Sequence, residues 1–256
     1  MLHYLTDIDV SLYESASQIA RLRTEAWVGK EIFCPKCGSQ LNPAANNREA
    51  CDFTCTCGEE FELKSKCGKI GSKIVNGAHD ALTRRVTSNT NPNLYILQYR
   101  KIDLFVENFF AVPRYFFVPT IIERRKPLAI TARRAGWVGC NILIGLVPDA
   151  GRIHYVRNGE RVDKRSVLHA WNSVHFLEKQ ESSDARGWLL NIMKCIDQLN
   201  TSRFSLEDIY RFEPLLKSKY PQNNFIREKI RQQLQVLRDN GYLEFISRGQ
   251  YCRVKY

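Results

Sequence analysis

The sequence predicts an α/β domain with a cysteine-rich insertion, followed by a smaller α+β domain of the winged helix-turn-helix type. Residues 94–99 and 104–112 are strand-like, since they are rich in aromatic and β-branched residues. Five of the nine cysteines lie between residues 34 and 57. From Gly187 onward the pattern becomes helical and ends in a short hairpin. We place the two domains at residues 1–180 and 184–256, with the polar segment 178–186 as a linker between them.

The elements of the first domain follow from periodicity and turn residues. Residues 11–28 predict a helix, with Ile19 and Trp27 at helical spacing and Ser11 or Asp9 as its cap. Residues 60–64 alternate as a strand does, and a helix is expected over residues 76–86. A turn at residues 91–93 precedes the two aromatic strands, and residues 153–156 predict another short strand.

The charge and the cysteine content restrict the compartment and the partners. A formal net charge of +11 favours a polyanionic partner such as nucleic acid, although solubility alone is the plainer explanation of a basic chain. The chain has no apolar run near the roughly 18 residues that cross a bilayer, and residues 1–10 do not resemble a signal peptide. We therefore expect a cytoplasmic protein without a membrane partner, in which clustered cysteines indicate metal binding more than disulfides.

The cysteine pattern predicts a zinc site. Cys34 and Cys37 form a CxxC pair, and Cys55 and Cys57 follow after 17 residues as a shortened CxC pair. Two such pairs, each on a tight turn, direct four sulfurs at one tetrahedral ion, which is then structural because no coordination position is left open. The irregular second pair leaves the fourth ligand open, with Cys51 and Cys67 as alternatives. Free buried thiols are the plainer alternative, and the polar surroundings of the cysteines disfavour it.

Asp52, Glu62 and Lys64 form the second constellation. Nine residues separate Asp52 from Glu62, and in a strand Glu62 and Lys64 share one face. If Asp52 lies on an adjacent strand, two carboxylates and a lysine converge, which is the set that Mg²⁺-dependent phosphodiester hydrolysis requires. Taken alone the pattern is weak, and a salt bridge on an exposed strand is its commoner meaning.

The C-terminal segment predicts three helices and a wing. The first helix carries Trp188 through Leu199, the second begins at Ser205–Asp208 as a capping box and ends at Tyr220–Pro221, and the third spans residues 224–239. A hairpin follows, with residues 242–245 and 251–254 as its strands. The apolar face of the third helix packs inward, and its outward polar face suits base edges in a major groove. The outward residues, together with Arg248 in the hairpin turn, are the predicted DNA-binding set of this domain: Arg227, Arg231, Gln232, Gln235 and Arg248. A winged helix that binds protein instead of DNA is the alternative.

Several long strings resemble those of the methyl-directed type IIM restriction endonucleases. These strings comprise residues 52–53, 59–66, 125–129, 131–137 and 228–234, and the resemblance extends along nearly the whole chain. It implies a PD-(D/E)xK nuclease core with a zinc-binding insertion, which cleaves double-stranded DNA at GATC sites carrying methylated adenine. It also implies methyl sensing by both domains and Mg²⁺ as cofactor. By the match, the catalytic residues are Asp52, Glu62 and Lys64, with Asp52 and Glu62 as magnesium ligands, and the zinc ligands are Cys34, Cys37, Cys55 and Cys57.

One matched string offers further DNA contacts. We interpret Arg133 and Arg134 as phosphate-binding residues and Trp137 as an aromatic that packs on or wedges the DNA, whereas a core position is the alternative for Trp137. We expect no small-molecule substrate. The rival function is a non-cutting zinc and winged-helix regulator with a degenerate nuclease fold. The sequence leaves open the oligomeric state during cleavage, the stagger of the cut and the residues of the methyl pocket.

Overall fold

The computed structural model describes residues 4–45, 50–180 and 182–254, which form a mixed α/β fold. The described helices are α1 (Ala16–Glu31), α2 (His79–Thr87), α3 (Lys164–Val174), α4 (Ser183–Gln198), α5 (Leu206–Tyr210), α6 (Glu213–Lys219) and α7 (Ile226–Asp239). The strands of the first part of the chain are β1 (Asn42–Pro43), β2 (Phe53–Thr54), β3 (Glu60–Cys67), β4 (Ile74–Ala78), β5 (Asn93–Tyr99), β6 (Val106–Val112), β7 (Ile122–Arg124), β8 (Gly139–Ile142), β9 (Ile153–Arg157) and β10 (Glu160–Arg161). The last three strands are β11 (Arg203–Ser205), β12 (Leu243–Ser247) and β13 (Gln250–Arg253).

A sheet with the strand order β1-β2-β3-β5-β6-β9-β10 forms the centre of the first domain. Every residue of β5 is buried, which explains its near-continuous apolar sequence. β3 runs parallel to β5 along its whole length, from Phe61 opposite Asn93 to Cys67 opposite Tyr99. On its other side β3 pairs with β2 through Glu60 and Phe61 alone. No described strand pairs with the rest of that edge of β3, from Glu62 onward, so side chains can approach it.

Aromatic side chains hold the central sheet to two helices. Phe61 of β3 stacks on Tyr95 of β5, with 4.4 Å between ring centroids and an interplanar angle of 8°. Trp27 of α1 meets Phe109 of β6 edge-on at 5.4 Å, and Trp171 of α3 lies 6.4 Å from Phe61. Aromatic pairs at such distances contribute about 0.5–1.5 kcal/mol each beyond the area that they bury. This cluster fixes the position of β3, the strand that carries Glu62 and Lys64.

The first and second helices begin later than the sequence patterns predict. Helix α1 starts at Ala16 with Ser15 as N-cap, so the predicted cap at Ser11 or Asp9 is wrong; Asp9 instead accepts a hydrogen bond from the Ser11 N–H at 2.9 Å, ahead of the helix. Residues 74–78 form strand β4 within a second sheet of order β4-β8-β7, and Asn76 pairs with Cys140. The predicted helix over 76–86 is therefore wrong for its first residues, because a tertiary strand pairing overrides their local helical pattern.

The C-terminal part has the helices and wing of a winged helix-turn-helix. Ser205 and Asp208 form the predicted capping box in both directions. The second predicted helix is interrupted, since α5 ends at Tyr210 and α6 begins at Glu213. Pro214 lies in the first turn of α6, where proline is well tolerated. Strands β11, β13 and β12 form the wing sheet.

The C-terminal part of the chain packs closely on the part that precedes it. Ser182 caps α4, so the predicted linker 178–186 is helical from Ser183 onward; residue 181 lies outside the described residues. Arg186 is buried and donates to the Gln180 carbonyl at 2.8 Å and to Asn89 Oδ1 at 2.6 Å. Asp197 of α4 accepts a hydrogen bond from the Asp149 N–H at 2.8 Å. Among the described residues, no helix is long and apolar enough to cross a membrane.

Candidate active site and metal centre

Four cysteines converge in the insertion between α1 and β3. The sulfurs of Cys34, Cys37, Cys55 and Cys57 all lie within 4.8 Å of one another. The Sγ atoms of Cys34 and Cys57 are 3.6 Å apart, and those of Cys37 and Cys55 are 3.4 Å apart. Sulfurs at about 2.3 Å from a tetrahedral zinc ion are roughly 3.8 Å from each other. The cluster is therefore compatible with zinc.

The two cysteine pairs lie on similar turns of different length. The first turn is closed by the Gly38 N–H to the Cys34 carbonyl, and the second by the Gly58 N–H to the Cys55 carbonyl. Both glycines have positive φ, at 77° and 89°, a conformation that favours glycine. The second turn closes one residue earlier than the first, which explains why a CxC pair meets a CxxC pair. Cys51, the alternative ligand, is buried outside the cluster and its Sγ donates to the Phe53 carbonyl at 3.3 Å.

Glu59 connects the cysteine cluster to the sheet, and the sequence patterns did not single it out as functional. Its side chain is only 4% exposed and accepts from Lys36 Nζ at 2.7 Å and from Asn93 Nδ2 at 2.8 Å. Arg114 approaches the same carboxylate at 3.3 Å. Burial alone would raise the pKa of Glu59, but the hydrogen bonds from Lys36 and Asn93 and the charge of Arg114 outweigh it and lower the pKa. Glu59 is thus held as a carboxylate that links the first cysteine turn to β5.

Asp52, Glu62 and Lys64 lie together at the open edge of β3. Lys64 Nζ is 2.6 Å from Glu62 Oε1, as expected for two side chains on one strand face. The Asp52 N–H donates to the Phe61 carbonyl at 2.9 Å, which continues the pairing of β2 with β3 by one residue. Beyond that point the Leu63 N–H donates to Asp52 Oδ2 at 2.7 Å. The Asp52 carboxylate therefore accepts the hydrogen bond that a strand partner would accept, and it is held beside the two residues that flank Leu63.

These three side chains line an open cavity of about 800 Å³. Helix α1 supplies two more charged residues to it, Arg21 and Glu25, which sequence reasoning missed. Arg21 Nε donates to Glu25 Oε1 at 2.5 Å, and Arg21 Nη2 lies 3.6 Å from Asp52 Oδ1. The sequence signal for this pair is its i, i+4 spacing on a predicted helix, which by itself indicates only a surface ion pair.

The second sheet lies close to the same side chains. Burial raises the pKa of the Cys140 thiol in β8, and the negative charge of nearby Glu62 raises it further. The loop from residue 125 to residue 138 joins β7 to β8, and the Leu128 N–H donates to the Trp137 carbonyl at 2.9 Å. This loop therefore ends at β8, the strand whose Cys140 is close enough to Glu62 to be affected by its charge.

Trp137 is half-buried in that loop, and Arg133 and Arg134 are exposed. The Arg134 guanidinium lies 4.9 Å from the centre of the Trp137 ring. A Cβ on Gly139 would approach the same ring to 2.8 Å, so glycine there allows the tryptophan to pack against the start of β8. Trp137 is thus neither a fully buried core residue nor a free one, and part of its surface is accessible to a ligand.

The outward face of α7 carries the expected polar residues. Arg227, Arg231, Gln232 and Gln235 are exposed, as is Arg248 in the wing turn. Arg227 donates to Glu213 at 2.7 Å and Arg231 donates to the Tyr210 hydroxyl at 2.8 Å. These two arginines are therefore held by α5 and α6 in fixed directions.

Comparison with known protein families finds a match for each of two consecutive segments of the chain. A family model named DpnI, described as the Dam-replacing family, matches residues 2–180. A second, named DpnI_C and described as the Dam-replacing HTH domain, matches residues 184–253. The first match alone covers more than half of the chain. The protein therefore belongs to the DpnI, or Dam-replacing, family, which is a family of methylation-dependent restriction endonucleases with a DNA-binding helix-turn-helix domain.

Proposed function

We propose that the protein hydrolyses both strands of double-stranded DNA at GATC sites that carry methylated adenine. The observation that carries the proposal is the convergence of Asp52, Glu62 and Lys64 on one open cavity. The family supports a methylation-dependent nuclease. The preference for methylated GATC is supported by the resemblance of the strings at residues 125–129, 131–137 and 228–234 to the methyl-directed enzymes.

Asp52 and Glu62 fit a magnesium ion, and the four cysteines fit zinc. Two carboxylates at the edge of an open, polar cavity leave room for the waters that Mg²⁺ retains. When bound there, Mg²⁺ would supply Lewis acidity and lower the pKa of a coordinated water. Zinc held by Cys34, Cys37, Cys55 and Cys57 would have a structural role, since sulfur fills all four positions.

Residues of the chain itself would position the metal-binding carboxylate and the attacking water. The Leu63 N–H fixes one oxygen of Asp52, which leaves the other directed at the cavity. Lys64 is oriented by Glu62 and would hold the attacking water by a hydrogen bond and stabilise the charge that develops on the phosphate. The proton of that water would pass to solvent through the open cavity.

DNA recognition is divided between two surfaces in this proposal. Arg133, Arg134 and Trp137 would contact DNA next to the cavity, as phosphate contacts and an aromatic packing surface. The exposed face of α7 and the wing turn would bind a GATC site through a major groove, with Arg227, Arg231, Gln232, Gln235 and Arg248 as the contacting residues.

The test is cleavage of one plasmid prepared with and without adenine methylation. With Mg²⁺, the protein should cut the methylated form at every GATC and leave the unmethylated form intact. The variants Lys64→Ala and Asp52→Ala should lose cleavage by at least about 10²–10³-fold, because a transition-state contact or a metal ligand is removed. Both should still shift methylated DNA in a gel, because the phosphate contacts elsewhere remain. Binding without any cutting by the unaltered protein would favour the non-cutting regulator instead.

A further inference from the structure

The catalytic cavity contains a cation that the proposed chemistry does not use. Arg21 projects from α1, with 69% of its side chain exposed, and lines the same cavity as Asp52, Glu62 and Lys64. Its neighbour one helical turn away, Glu25, accepts a hydrogen bond from Nε at 2.5 Å. This bond engages one edge of the guanidinium and leaves the Nη2 group directed at Asp52.

The contact between Arg21 and Asp52 is long enough for another cation to replace it. Arg21 Nη2 lies 3.6 Å from Asp52 Oδ1, which is longer than a hydrogen bond. Oδ2, the other oxygen, is engaged by the Leu63 N–H. The oxygen that Arg21 approaches is therefore the one left to bind a cation in the cavity. A metal ion bound to that oxygen would be repelled by the nearby Arg21 guanidinium.

The charges that line the cavity support such an exchange. Among the described residues that line the cavity, three are acidic (Glu25, Asp52 and Glu62) and two are basic (Arg21 and Lys64), so their net charge is negative by one. A divalent ion reverses this balance to one positive charge, which a single phosphodiester then neutralises. Arginine suits the phosphate better than lysine does, because its planar donors match two phosphate oxygens.

We propose that Arg21 is a phosphate-binding residue of the active site, which leaves Asp52 when a divalent cation binds there and then contacts the non-bridging oxygens of the scissile phosphate. Glu25 holds the guanidinium at the cavity in both states. The inference rests on the proposed nuclease function and adds a residue on α1 to its machinery. The plain alternative is a surface ion pair between Arg21 and Glu25 that stabilises the helix slightly and has no function.

A phosphate-binding Arg21 and an Arg21 that only forms a surface ion pair differ in how they affect cation binding and cleavage. We expect Arg21→Gln to bind Mn²⁺ about two- to fivefold more tightly in the absence of DNA, since a competing cation is removed from Asp52. The same variant should cleave methylated plasmid about 10²-fold more slowly at saturating Mg²⁺, because a transition-state contact is lost. Arg21→Lys should recover part of the rate. A merely structural residue would not improve one property while damaging the other.

The experiment uses the full chain with zinc bound. Mn²⁺ affinity is measured from the loss of the free-ion electron paramagnetic resonance signal, with Asp52→Asn as the variant that should lose this binding. Lys30→Gln is the matched control, since Lys30 is exposed on the same helix outside the cavity and its loss removes one positive charge. Lys30→Gln should change neither the Mn²⁺ affinity nor the cleavage rate by more than about twofold. Zinc content and circular dichroism of each variant establish that the fold is intact.

The outcomes separate the inference from the function. If the unaltered protein cuts and Arg21→Gln cuts equally fast, the inference is wrong and the nuclease function stands. Unchanged or weaker Mn²⁺ binding by Arg21→Gln also overturns it, because the exchange at Asp52 is then absent. If the unaltered protein cuts neither form of the plasmid, the proposed function fails, and the inference fails with it.

Discussion

Replacing Glu59 by glutamine should destabilise the first domain more than the loss of any surface ion pair. The carboxylate is 4% exposed and is shared by Lys36 at 2.7 Å, Asn93 at 2.8 Å and Arg114 at 3.3 Å. Glutamine has nearly the same shape but no charge, and its amide nitrogen would face a cationic donor. The substitution therefore tests the buried charge rather than the packing.

The magnitude follows from the exposure of the partners. Removing one member of a fully buried ion pair costs about 3–5 kcal/mol, because the remaining charge is left uncompensated. Here Lys36 and Arg114 keep 34% and 32% of their side chains exposed, so water compensates part of the loss. Arg114 also retains its ion pair with Glu178. We therefore expect a loss of about 2–3 kcal/mol in the free energy of unfolding.

Urea unfolding of the zinc-loaded protein, followed by tryptophan fluorescence, measures this loss. The control is Asp103→Asn, which breaks a surface pair with Arg100 at 2.6 Å and should shift the unfolding midpoint much less than Glu59→Gln does. Equal shifts of the two unfolding midpoints would refute the reasoning, since buried and exposed pairs would then contribute alike.

The pH dependence provides a second check on Glu59. Its pKa is lowered in the folded protein, so its contribution is complete above the ordinary glutamate pKa and is lost as the pH falls through the folded value. The unaltered protein should therefore lose stability in this acidic range more steeply than Glu59→Gln does. Parallel stability curves for the two proteins would show that the carboxylate does not titrate with folding.

Two further predictions concern the metal centre and the reading of methyl groups. Metal analysis should find about one zinc per chain, with Cys57→Ser losing zinc and Cys51→Ser retaining it; the reverse result would make Cys51 the fourth ligand. The non-cutting Lys64→Ala protein should bind methylated GATC at least about fifteenfold more tightly than unmethylated GATC, since two buried methyl groups contribute about 0.8 kcal/mol each. Coincident titration curves for the two duplexes would contradict methyl recognition at the binding step.

Strands with strong local patterns were predictable from the sequence. β5 and β6 combine aromatic and β-branched residues with a preceding Asn-Pro-Asn turn, and the structure places both in the centre of the main sheet. The cysteine pairs and the capping box at Ser205 were also predictable from the sequence, because each depends on residues within one turn of the chain. Local chemistry of this kind needs no knowledge of tertiary contacts.

The features of the fold and of the site that the sequence did not predict depend on contacts between distant segments. Residues 74–78 form a strand only because β8 lies beside them, 61 or more residues later, as the register of Ala78 with Gly139 shows. The break after Tyr210 separates α5 from α6, and both of these helices pack on α7. Arg21 and Glu25 could be placed on a helix face from the sequence, but only the packing of α1 on β3 brings that face to the cavity.

The cysteine cluster and the open edge of β3 belong to one hairpin. β2 has two residues, which is too short to hold a strand register unaided. Asp52 lies immediately before β2, and Cys55 and Cys57 lie immediately after it, so the cluster restrains the end of the hairpin opposite Asp52. Glu59 restrains the return strand through Lys36 and Asn93. A shift of β2 by one residue would remove the Asp52 carboxylate from the Leu63 N–H and turn it to the other face of the sheet. In the proposed mechanism the insertion would therefore affect catalysis indirectly, because it fixes the register in which Asp52 meets Glu62.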